Sequence, residues 1–310
     1  MNIKSILVLG VAALVIILIG IYFVMNPEKK KLDNAAREQL GGSYISLSHG
    51  VTHYALEGPE NGPVVVLVHG GTIPMFTWDE LSPELTSVGF RVLRYDVFGR
   101  GFSDRPKVEY NRSLYLEQLV ELLDGLQVRS PVDIVGYSLG GATVANFTAH
   151  YPSRIRKVVL ISPVVCDYAI PAVLRIPVIG EFFGRVIGLR KVINRASTCW
   201  ESREFAQHYS ARFEEQTTYE GFQASILSML RSDALTDYRD SFAAVGKQNR
   251  RVLLIWGKND TEITEDMIRS ARALLPQAEF HAIENAGHGI VFQKPEQIQE
   301  LMIGFLQKGE

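Results

Sequence analysis

The sequence predicts an α/β fold in which helices cover both faces of a mostly parallel, doubly wound sheet. From Ser43 onward, short apolar runs alternate with longer stretches of helical periodicity, which is typical of strands joined by helical crossovers. Several runs are apolar without alternation, as expected for parallel strands buried on both faces. A chain of 310 residues with 46% hydrophobic residues can form one large α/β domain or two small ones with a sizeable core.

Eight strands are expected in this pattern. Two form an opening hairpin at 44–48 and 52–58, and six follow at 64–70, 91–96, 132–137, 157–162, 251–257 and 278–284. Helical patterns lie between the strands or after them, near 113–127, 139–150, 264–275 and 295–307. The prediction is therefore an eight-stranded sheet, mostly parallel, with helices on both faces.

An apolar segment precedes the first strand. Ile6 to Met25 is uncharged for 20 residues, and as a helix it would span about 30 Å, the thickness of the hydrocarbon core of a bilayer. The alternatives are a buried core helix and a cleaved signal peptide. A signal h-region usually runs only about 7–15 residues, however, and the following MNPEKKK offers no A-x-A-like cleavage site. We therefore predict a transmembrane anchor over 1–25, and the excess of basic residues after it favours the cytoplasmic side for the rest of the chain.

Two further boundaries are expected. Residues 26–42 are charged and end in two glycines, which indicates a juxtamembrane linker or a short helix before a domain over 43–310. Within that domain, almost ninety residues between KVVLISP and RVLLIWG show helical patterning and no convincing strand. A structureless loop of that length would be unusual. We predict an inserted helical cap at about 165–245, on the side of the sheet where strands end and ligands bind.

Composition argues against some functions. The net charge is −2, with both signs interspersed along the chain, and this argues against a nucleic-acid surface. Cys166 and Cys199 match no metal-ligand spacing and no disulfide framework. They are expected to be ordinary thiols, with a single bridge as the alternative in an oxidising compartment.

The pentapeptide GYSLG at 136–140 places a serine between a predicted strand and a predicted helix. On such a turn the oxygen of Ser138 is pushed clear of the backbone, and the flanking glycines are needed because side chains there would collide with neighbouring elements. The N-terminus of the following helix favours developing negative charge. A packing turn is the alternative, but the strand before and the helix after favour Ser138 as a nucleophile.

Five motifs together extend this interpretation: LVHGG, RYDVFGRGFSDRP, VGYSLGG, LIWGKND and NAGHG. With them the chain resembles the α/β-hydrolase fold family from about Ser43 to the C-terminus. The nucleophile position holds Ser138 and not the aspartate of haloalkane dehalogenases and epoxide hydrolases, which implies the serine-hydrolase branch. The N-terminal apolar segment, the long cap and IWGKND with ENAGHG are most similar to membrane-anchored hydrolases of the monoacylglycerol-lipase type.

A nucleophilic serine requires a base. His288 lies in a glycine-bracketed loop after the last predicted strand, where this family has its catalytic histidine, and we predict it as the base. His281 lies within that strand and is expected to be structural. His69 is expected to shape its loop through hydrogen bonds to the backbone. No motif surrounds the other four histidines, His49, His53, His150 and His208.

The histidine requires an orienting carboxylate, which fixes its tautomer and stabilises the imidazolium. Asp260 ends IWGKND after the next-to-last strand and gives the chain order serine, aspartate, histidine that is expected of this fold. Asp167 is the alternative, because some relatives have their carboxylate at that place. Asp96 and Asp104 are expected instead to brace the turn after their strand, in pairs with Arg100 or Arg105.

The tetrahedral intermediate requires an oxyanion hole. One expected donor is the backbone N–H of Leu139, the residue after the nucleophile, and the other is the N–H of Gly71 in the loop after VVLVHG. Relatives often have a bulky apolar residue where this chain has Gly71. Loss of one such donor costs on the order of 3 kcal/mol of transition-state stabilisation.

The stretch 169–193 of the predicted cap is unusually apolar, with four basic residues spaced through it: Arg175, Arg185, Arg190 and Lys191. One interpretation is an amphipathic cap helix whose apolar side faces the pocket and the core. The other is that part of the stretch also touches lipid, with its basic residues at the level of the headgroups. An apolar cap above the triad implies a pocket for an aliphatic chain.

The sequence thus predicts an anchored hydrolase of carboxylic esters, such as monoacylglycerols, that acts through a Ser138, His288 and Asp260 acyl-enzyme mechanism. No metal and no organic cofactor are implied, and the expected partners are a small acyl ester or lipid and the membrane. A hydrolase of carbon–carbon bonds or amides with the same triad is the alternative. From another class, a non-catalytic, membrane-tethered binding protein on this scaffold is disfavoured because all three triad candidates are present. The sequence does not indicate an oligomeric state.

Overall fold

The computed structural model describes residues 2–166, 168–188 and 203–308, without the side chains of 203–206 and 208. Several residues discussed above therefore lie outside the described part of the chain: Asp167, Arg190, Lys191, Cys199 and the side chain of His208.

The predicted eight-stranded sheet is confirmed. Its strands are β1 (Ser43–Leu47), β2 (Gly50–Glu57), β3 (Val64–Val68), β4 (Arg91–Tyr95), β5 (Val132–Tyr137), β6 (Ile155–Ile161), β7 (Val252–Gly257) and β8 (Glu279–Ile283). They lie in the order β1-β2-β4-β3-β5-β6-β7-β8. The β1–β2 hairpin is antiparallel and joins β4 antiparallel, and the remaining strands pair in parallel. The sheet is therefore mostly parallel, as predicted.

Helices connect and flank these strands. They are α1 (Ile3–Val24), α2 (Asn34–Leu40), α3 (Ser82–Ser87), α4 (Arg112–Gly125), α5 (Leu139–His150), α6 (Ala172–Arg175), α7 (Ile179–Phe183), α8 (Arg203–Thr217), α9 (Phe222–Arg231), α10 (Arg239–Gly246), α11 (Glu265–Leu274), α12 (Ile290–Gln293) and α13 (Pro295–Gln307). The four helices that the periodicity predicts are α4, α5, α11 and α13. Of the two alternatives for 26–42, the structure has the short helix, α2, with the Asp33 side chain as its N-cap.

Helices pack on both faces of the sheet because successive strand residues point to opposite sides. Val66 and Val68 belong to an apolar core with α4, α5, α10 and α11. Val65 and Leu67 belong to a second core with α3, α12 and α13. All four valine and leucine side chains are fully buried, which is why β3 has no polar alternation.

The chain between β6 and β7 contains α6 to α10 and, in its described part, no strand. We call it the β6–β7 segment. Its helix α9 lies above the loop that follows β3, since a side chain at Gly71 would meet the Met229 sulfur at 3.2 Å. The segment therefore covers the edge of the sheet at which the parallel strands end.

The N-terminal helix α1 packs little against the domain. It has a mean hydropathy of 3.0 over a window in which no residue is buried, and its 22 residues are enough to cross a membrane. This exposure is not that of a core helix. By length and composition alone, a helix near the N-terminus that passes this test is either a membrane span or a signal sequence. At its C-terminal end, α1 contacts the β6–β7 segment, where the Arg185 guanidinium lies 3.9 Å from the centre of the Tyr22 ring.

Candidate active site

Ser138 occupies a strained turn between β5 and α5. Its φ of 56° and ψ of −120° lie outside the regions that side-chain-bearing residues normally adopt. The two neighbouring glycines permit this turn, because a Cβ at Gly136 would overlap the Gly140 carbonyl oxygen and one at Gly140 would overlap the Val68 carbonyl oxygen. The Ser138 side chain therefore projects from the end of β5 toward the carboxyl ends of the neighbouring strands.

Three predicted residues meet at this edge of the sheet. His288 Nε2 lies 3.0 Å from Ser138 Oγ, and His288 Nδ1 lies 2.9 Å from Asp260 Oδ2. The second oxygen of Asp260 accepts the backbone N–H groups of Glu262 and Ile263, each at 2.9 Å. Ionised Asp260 accepts only, so Nδ1 carries the proton and Nε2 is left as the acceptor that faces the serine.

Two contacts hold the histidine loop in place. The Tyr137 hydroxyl donates to the His288 carbonyl oxygen at 2.5 Å, and the two rings stack with centroids 5.4 Å apart. At the end of β7, a Cβ on Gly257 would overlap the Ala286 carbonyl oxygen, so only glycine lets the loop approach this closely. Tyr137 precedes the serine directly, and Ser138 and His288 are therefore positioned by one local structure.

The alternative acid, Asp167, lies outside the described residues, and of the two candidates the structure describes Asp260, which lies beside the histidine. Asp96 does brace the turn after β4, since it accepts the N–H groups of Met75 and Phe102. Its partner, however, is the His53 ring, whose Nδ1 lies 2.7 Å from Asp96 Oδ2, and not Arg100 or Arg105. Asp104 pairs with Arg37 of α2. The expected pairing was wrong because both partners come from distant parts of the chain.

The loop after β3 is shaped by His69, as the sequence predicts. Its Nε2 accepts the Val97 N–H at 3.0 Å, and its Nδ1 lies 2.7 Å from the Gly70 carbonyl oxygen. Burial lowers the pKa of His69 to about 4, so the ring is neutral at pH 7. A neutral ring can accept at one nitrogen and donate at the other, and this is what the two contacts require.

Gly71 and Leu139, the two residues predicted to supply the oxyanion donors, lie close together. Leu139 begins α5, and a Cβ on Gly71 would lie 3.5 Å from a Leu139 methyl carbon. Within the described residues, neither N–H donates to another backbone carbonyl. The Gly71 carbonyl accepts from Nε of the fully buried Arg100 at 2.5 Å, a contact that sequence reasoning did not foresee. Arg100 thus fixes the orientation of the peptide that follows Gly71.

Sequence reasoning also missed Glu262, which lies beside the histidine, and Tyr168, which donates to Glu262. Glu262 Oε2 lies 3.7 Å from His288 Nε2, and it accepts the Tyr168 hydroxyl at 2.5 Å. The signal for Glu262 was its position two residues after the candidate acid in NDTEIT. Tyr168 has no comparable signal, because its contact spans 94 positions of the chain.

A cavity of about 340 Å³ lies away from these residues, between the end of α1 and helices α7 and α9. Its lining includes Tyr22, Glu28, Arg185 and Arg231, so it is more polar than the aliphatic pocket that the sequence predicts. Among the described residues, no three His, Cys, Asp or Glu side chains are grouped to hold a metal ion.

A hydrogen-bonded serine, histidine and aspartate at the carboxyl ends of a mostly parallel sheet, with the serine on a strained turn, is the arrangement of hydrolases of the α/β-hydrolase fold. The chain belongs to the Alpha/beta hydrolase family, whose model matches residues 65–301.

Comparisons with known proteins agree with this assignment. The chain is 23% identical over 270 residues to carboxylesterase YbfK of Bacillus subtilis, covering 86% of this chain and 88% of that protein. It is 28% identical over 256 residues to a 2-hydroxy-6-oxo-2,4-heptadienoate hydrolase of Pseudomonas putida, covering 79% and 89%. The crystal structure of an enol-lactonase from Burkholderia xenovorans superimposes with a TM-score of 0.72 at 20% identity, covering 86% of this chain and all of that one. Carboxylesterases and other hydrolases are therefore among its homologues.

Proposed function

We propose that this protein is a membrane-anchored serine hydrolase of carboxylic esters, with Ser138 as nucleophile, His288 as base and Asp260 as the orienting acid. The observation that carries the proposal is the continuous hydrogen-bonded path from Ser138 Oγ through the imidazole to Asp260. This path gives each group the neighbour that its role requires. The carboxylesterases among the relatives support esters as the substrate class.

The proposed reaction begins when His288 Nε2 takes the proton of Ser138 as Oγ attacks the ester carbonyl carbon. The carbonyl oxygen becomes an oxyanion that accepts the N–H groups of Leu139 and Gly71. As the ester bond breaks, Nε2 returns the proton to the departing alcohol oxygen, and an acyl-enzyme remains. A water molecule then loses a proton to Nε2 and attacks the acyl carbon, which releases the carboxylic acid and restores Ser138.

We take an alcohol as the leaving group in preference to carbon. Nε2 can protonate an alkoxide as it leaves, and nothing beyond this one nitrogen is needed. One relative is named a heptadienoate hydrolase, so cleavage of a carbon–carbon bond by the same triad is the second candidate. If the protein hydrolysed a vinylogous 1,5-diketone readily and esters only negligibly in comparison, this result would favour the second candidate.

We further propose that α1 anchors the protein in a bilayer and that the β6–β7 segment touches the lipid. Beside the end of α1, this segment presents five exposed apolar side chains: Ile176, Val178, Ile179, Phe183 and Ile187. A surface of this kind, next to an exposed apolar helix, is suited to the headgroup–acyl boundary. Substrates that reside in the bilayer, such as single-chain acyl esters, would then reach Ser138 without crossing water. The basic residues after α1 favour the cytoplasmic side for the domain.

Labelling with a fluorophosphonate probe, followed by hydrolysis of p-nitrophenyl esters of graded chain length, tests the proposed chemistry. Ser138→Ala and His288→Ala should each abolish turnover in a folded protein, and the double variant should be no worse than either, because the residues act as one unit. Strong residual turnover in purified Ser138→Ala would exclude the mechanism. Absence of labelling in the wild type would indicate a non-catalytic binding protein.

A further inference from the structure

Arg100 is a buried cation that has no carboxylate partner in the described part of the chain. Its side chain is fully buried. Its guanidinium donates to four uncharged atoms: the carbonyl oxygens of Gly71 and Gly99, Ser225 Oγ and Met229 Sδ. Burial of a charge without a counter-charge is costly, so packing alone does not account for this arrangement.

The next arginine of the same motif shows the contrast. Burial lowers the pKa of Arg105 to about 10, but the charges of Asp96 and Asp104 oppose this effect. Burial lowers the pKa of Arg100 as well, and the groups that oppose this effect within the described residues are two tyrosines and no carboxylate. A guanidinium has its ordinary pKa far above neutrality, and both arginines therefore stay cationic.

The charge of Arg100 lies close to the proposed oxyanion. Its Nε donates to the Gly71 carbonyl oxygen at 2.5 Å, and the N–H of the same glycine is a proposed oxyanion donor. Standard backbone dimensions and the reach of such a donor, about 2.7–3.1 Å, then place the guanidinium within about 10 Å of the oxyanion. A unit charge at that distance changes the rate about tenfold when the effective dielectric constant is about 20.

Helix α9 of the β6–β7 segment holds this charge in place. Arg100 Nη1 donates to Ser225 Oγ at 2.8 Å, and Nη2 donates to the Met229 sulfur at 3.1 Å. The guanidinium carbon lies 5.9 Å from the centre of the Phe222 ring. All three contacted side chains are buried residues of α9. The position of the charge therefore depends on α9 as well as on the turn that carries Arg100.

We propose that the charge of Arg100 stabilises the oxyanion formed at Ser138, and that Ser225 and Met229 are the positioning residues that hold this charge. The oxyanion supplies the negative charge that Arg100 lacks before the reaction. The ester carbonyl is uncharged in the ground state, so the effect falls on kcat and not on KM. The inference rests on the proposed ester hydrolysis, with the Gly71 N–H as an oxyanion donor.

The test separates the charge of Arg100 from its hydrogen bond. Arg100→Gln keeps an N–H donor for the Gly71 carbonyl oxygen but is neutral, whereas Arg100→Lys keeps the charge. With p-nitrophenyl butyrate and the full-length protein in detergent, kcat per fluorophosphonate-labelled site should fall about tenfold in Arg100→Gln with KM little changed. Arg100→Lys should stay closer to the wild type. A kcat in Arg100→Gln equal to or above that of Arg100→Lys would overturn the role of the charge.

A second measurement does not depend on the fraction of folded enzyme. Butylboronic acid forms a tetrahedral anion on a nucleophilic serine, so its inhibition constant should rise about tenfold in Arg100→Gln. Arg105→Gln is the matched control, since Arg105 lies in the same motif but donates to the carbonyl oxygens of Gly101 and Ser103. Its kcat and inhibition constant should equal those of the wild type.

The contribution of α9 is tested by a double-variant cycle. Ser225→Ala should lower kcat severalfold in the wild type and much less in Arg100→Gln, because it acts through the charge. Equal effects in the two backgrounds would overturn the positioning role of Ser225. An unchanged inhibition constant in Arg100→Gln would overturn the inference while leaving ester hydrolysis intact. Absence of both labelling and turnover in the wild type would instead overturn the proposed function.

Discussion

The buried imidazole of His69 makes the stability of the protein depend on pH in a defined window. Burial lowers the pKa of this side chain from 6.5 to about 4. The unfolded chain therefore takes up a proton at a higher pH than the folded one. The stability contributed by neutral His69 is fully present above pH 6.5 and is lost as the pH falls toward 4. Between pH 7.5 and pH 5.0 the linked loss amounts to about 2 kcal/mol.

Urea unfolding of the full-length protein in detergent, at both pH values, measures this loss. His69→Gln removes the titrating group and keeps an acceptor for the Val97 N–H, so the wild type should lose about 2 kcal/mol more than this variant over the same interval. Asp96 does not interfere. Burial raises its pKa, but His53, His69 and the Met75 N–H together outweigh that effect and lower the pKa, so its contribution changes only below the window. Equal losses in the two proteins would refute the linkage of His69 to folding.

Three further predictions concern the site and the anchor. Asp260→Asn should reduce kcat by several orders of magnitude, because the imidazole would lose its correct tautomer. Asp167→Asn should not have this effect. The reverse result would identify Asp167, which follows β6, as the acid. Arg100→Met should lower kcat about tenfold or more with little change in KM, because the Gly71 carbonyl oxygen loses the donor that orients this peptide. An unchanged kcat would mean that Arg100 does not act through the proposed oxyanion loop. Deletion of residues 2–25 should release the protein from membranes and leave turnover of a short soluble ester almost unchanged, while hydrolysis of long-chain esters in vesicles falls much further. Equal effects on both substrates would mean that the anchor affects only location.

The sheet and its order along the chain are predictable because the parallel strands are buried on both faces and so lack polar alternation. The strand boundaries are less predictable where a residue at the end of a strand makes a contact outside the sheet. β3 was expected to continue to residue 70 but ends at Val68, because His69 leaves the sheet to bond the backbone of Val97. β6 begins earlier than expected, at Ile155. The charges of Arg156 and Lys157 separate Ile155 from the apolar run, although the Lys157 ammonium group is buried against the carbonyl oxygens of Leu306 and Lys308.

The residues of the candidate site divide in a similar way. Ser138, Asp260 and His288 are recognisable because their glycine-rich turns leave local patterns in the sequence. Arg100 lies in one of the quoted motifs, but neither its contact with Gly71 nor that of Tyr168 with Glu262 leaves a pattern, since each joins remote elements. The short helices α3 and α12, with 6 and 4 residues, are too brief to show a helical period. Sequence patterns thus identify the reacting groups more readily than the groups that hold them.

The route by which α1 joins the domain has a mechanical consequence. Glu28 accepts the N–H groups of Gly221 and Gln223 at the start of α9, and the Lys29 and Lys30 N–H groups donate to the Thr218 carbonyl oxygen. In a bilayer, α1 would thus be joined to the domain through the β6–β7 segment, which lies above Ser138, and not through the sheet. Tilting of α1 would pull on α9, whose Met229 meets Gly71 and Arg100. Differences in the thickness and curvature of the membrane would then act, through α9, on the loop proposed to stabilise the oxyanion.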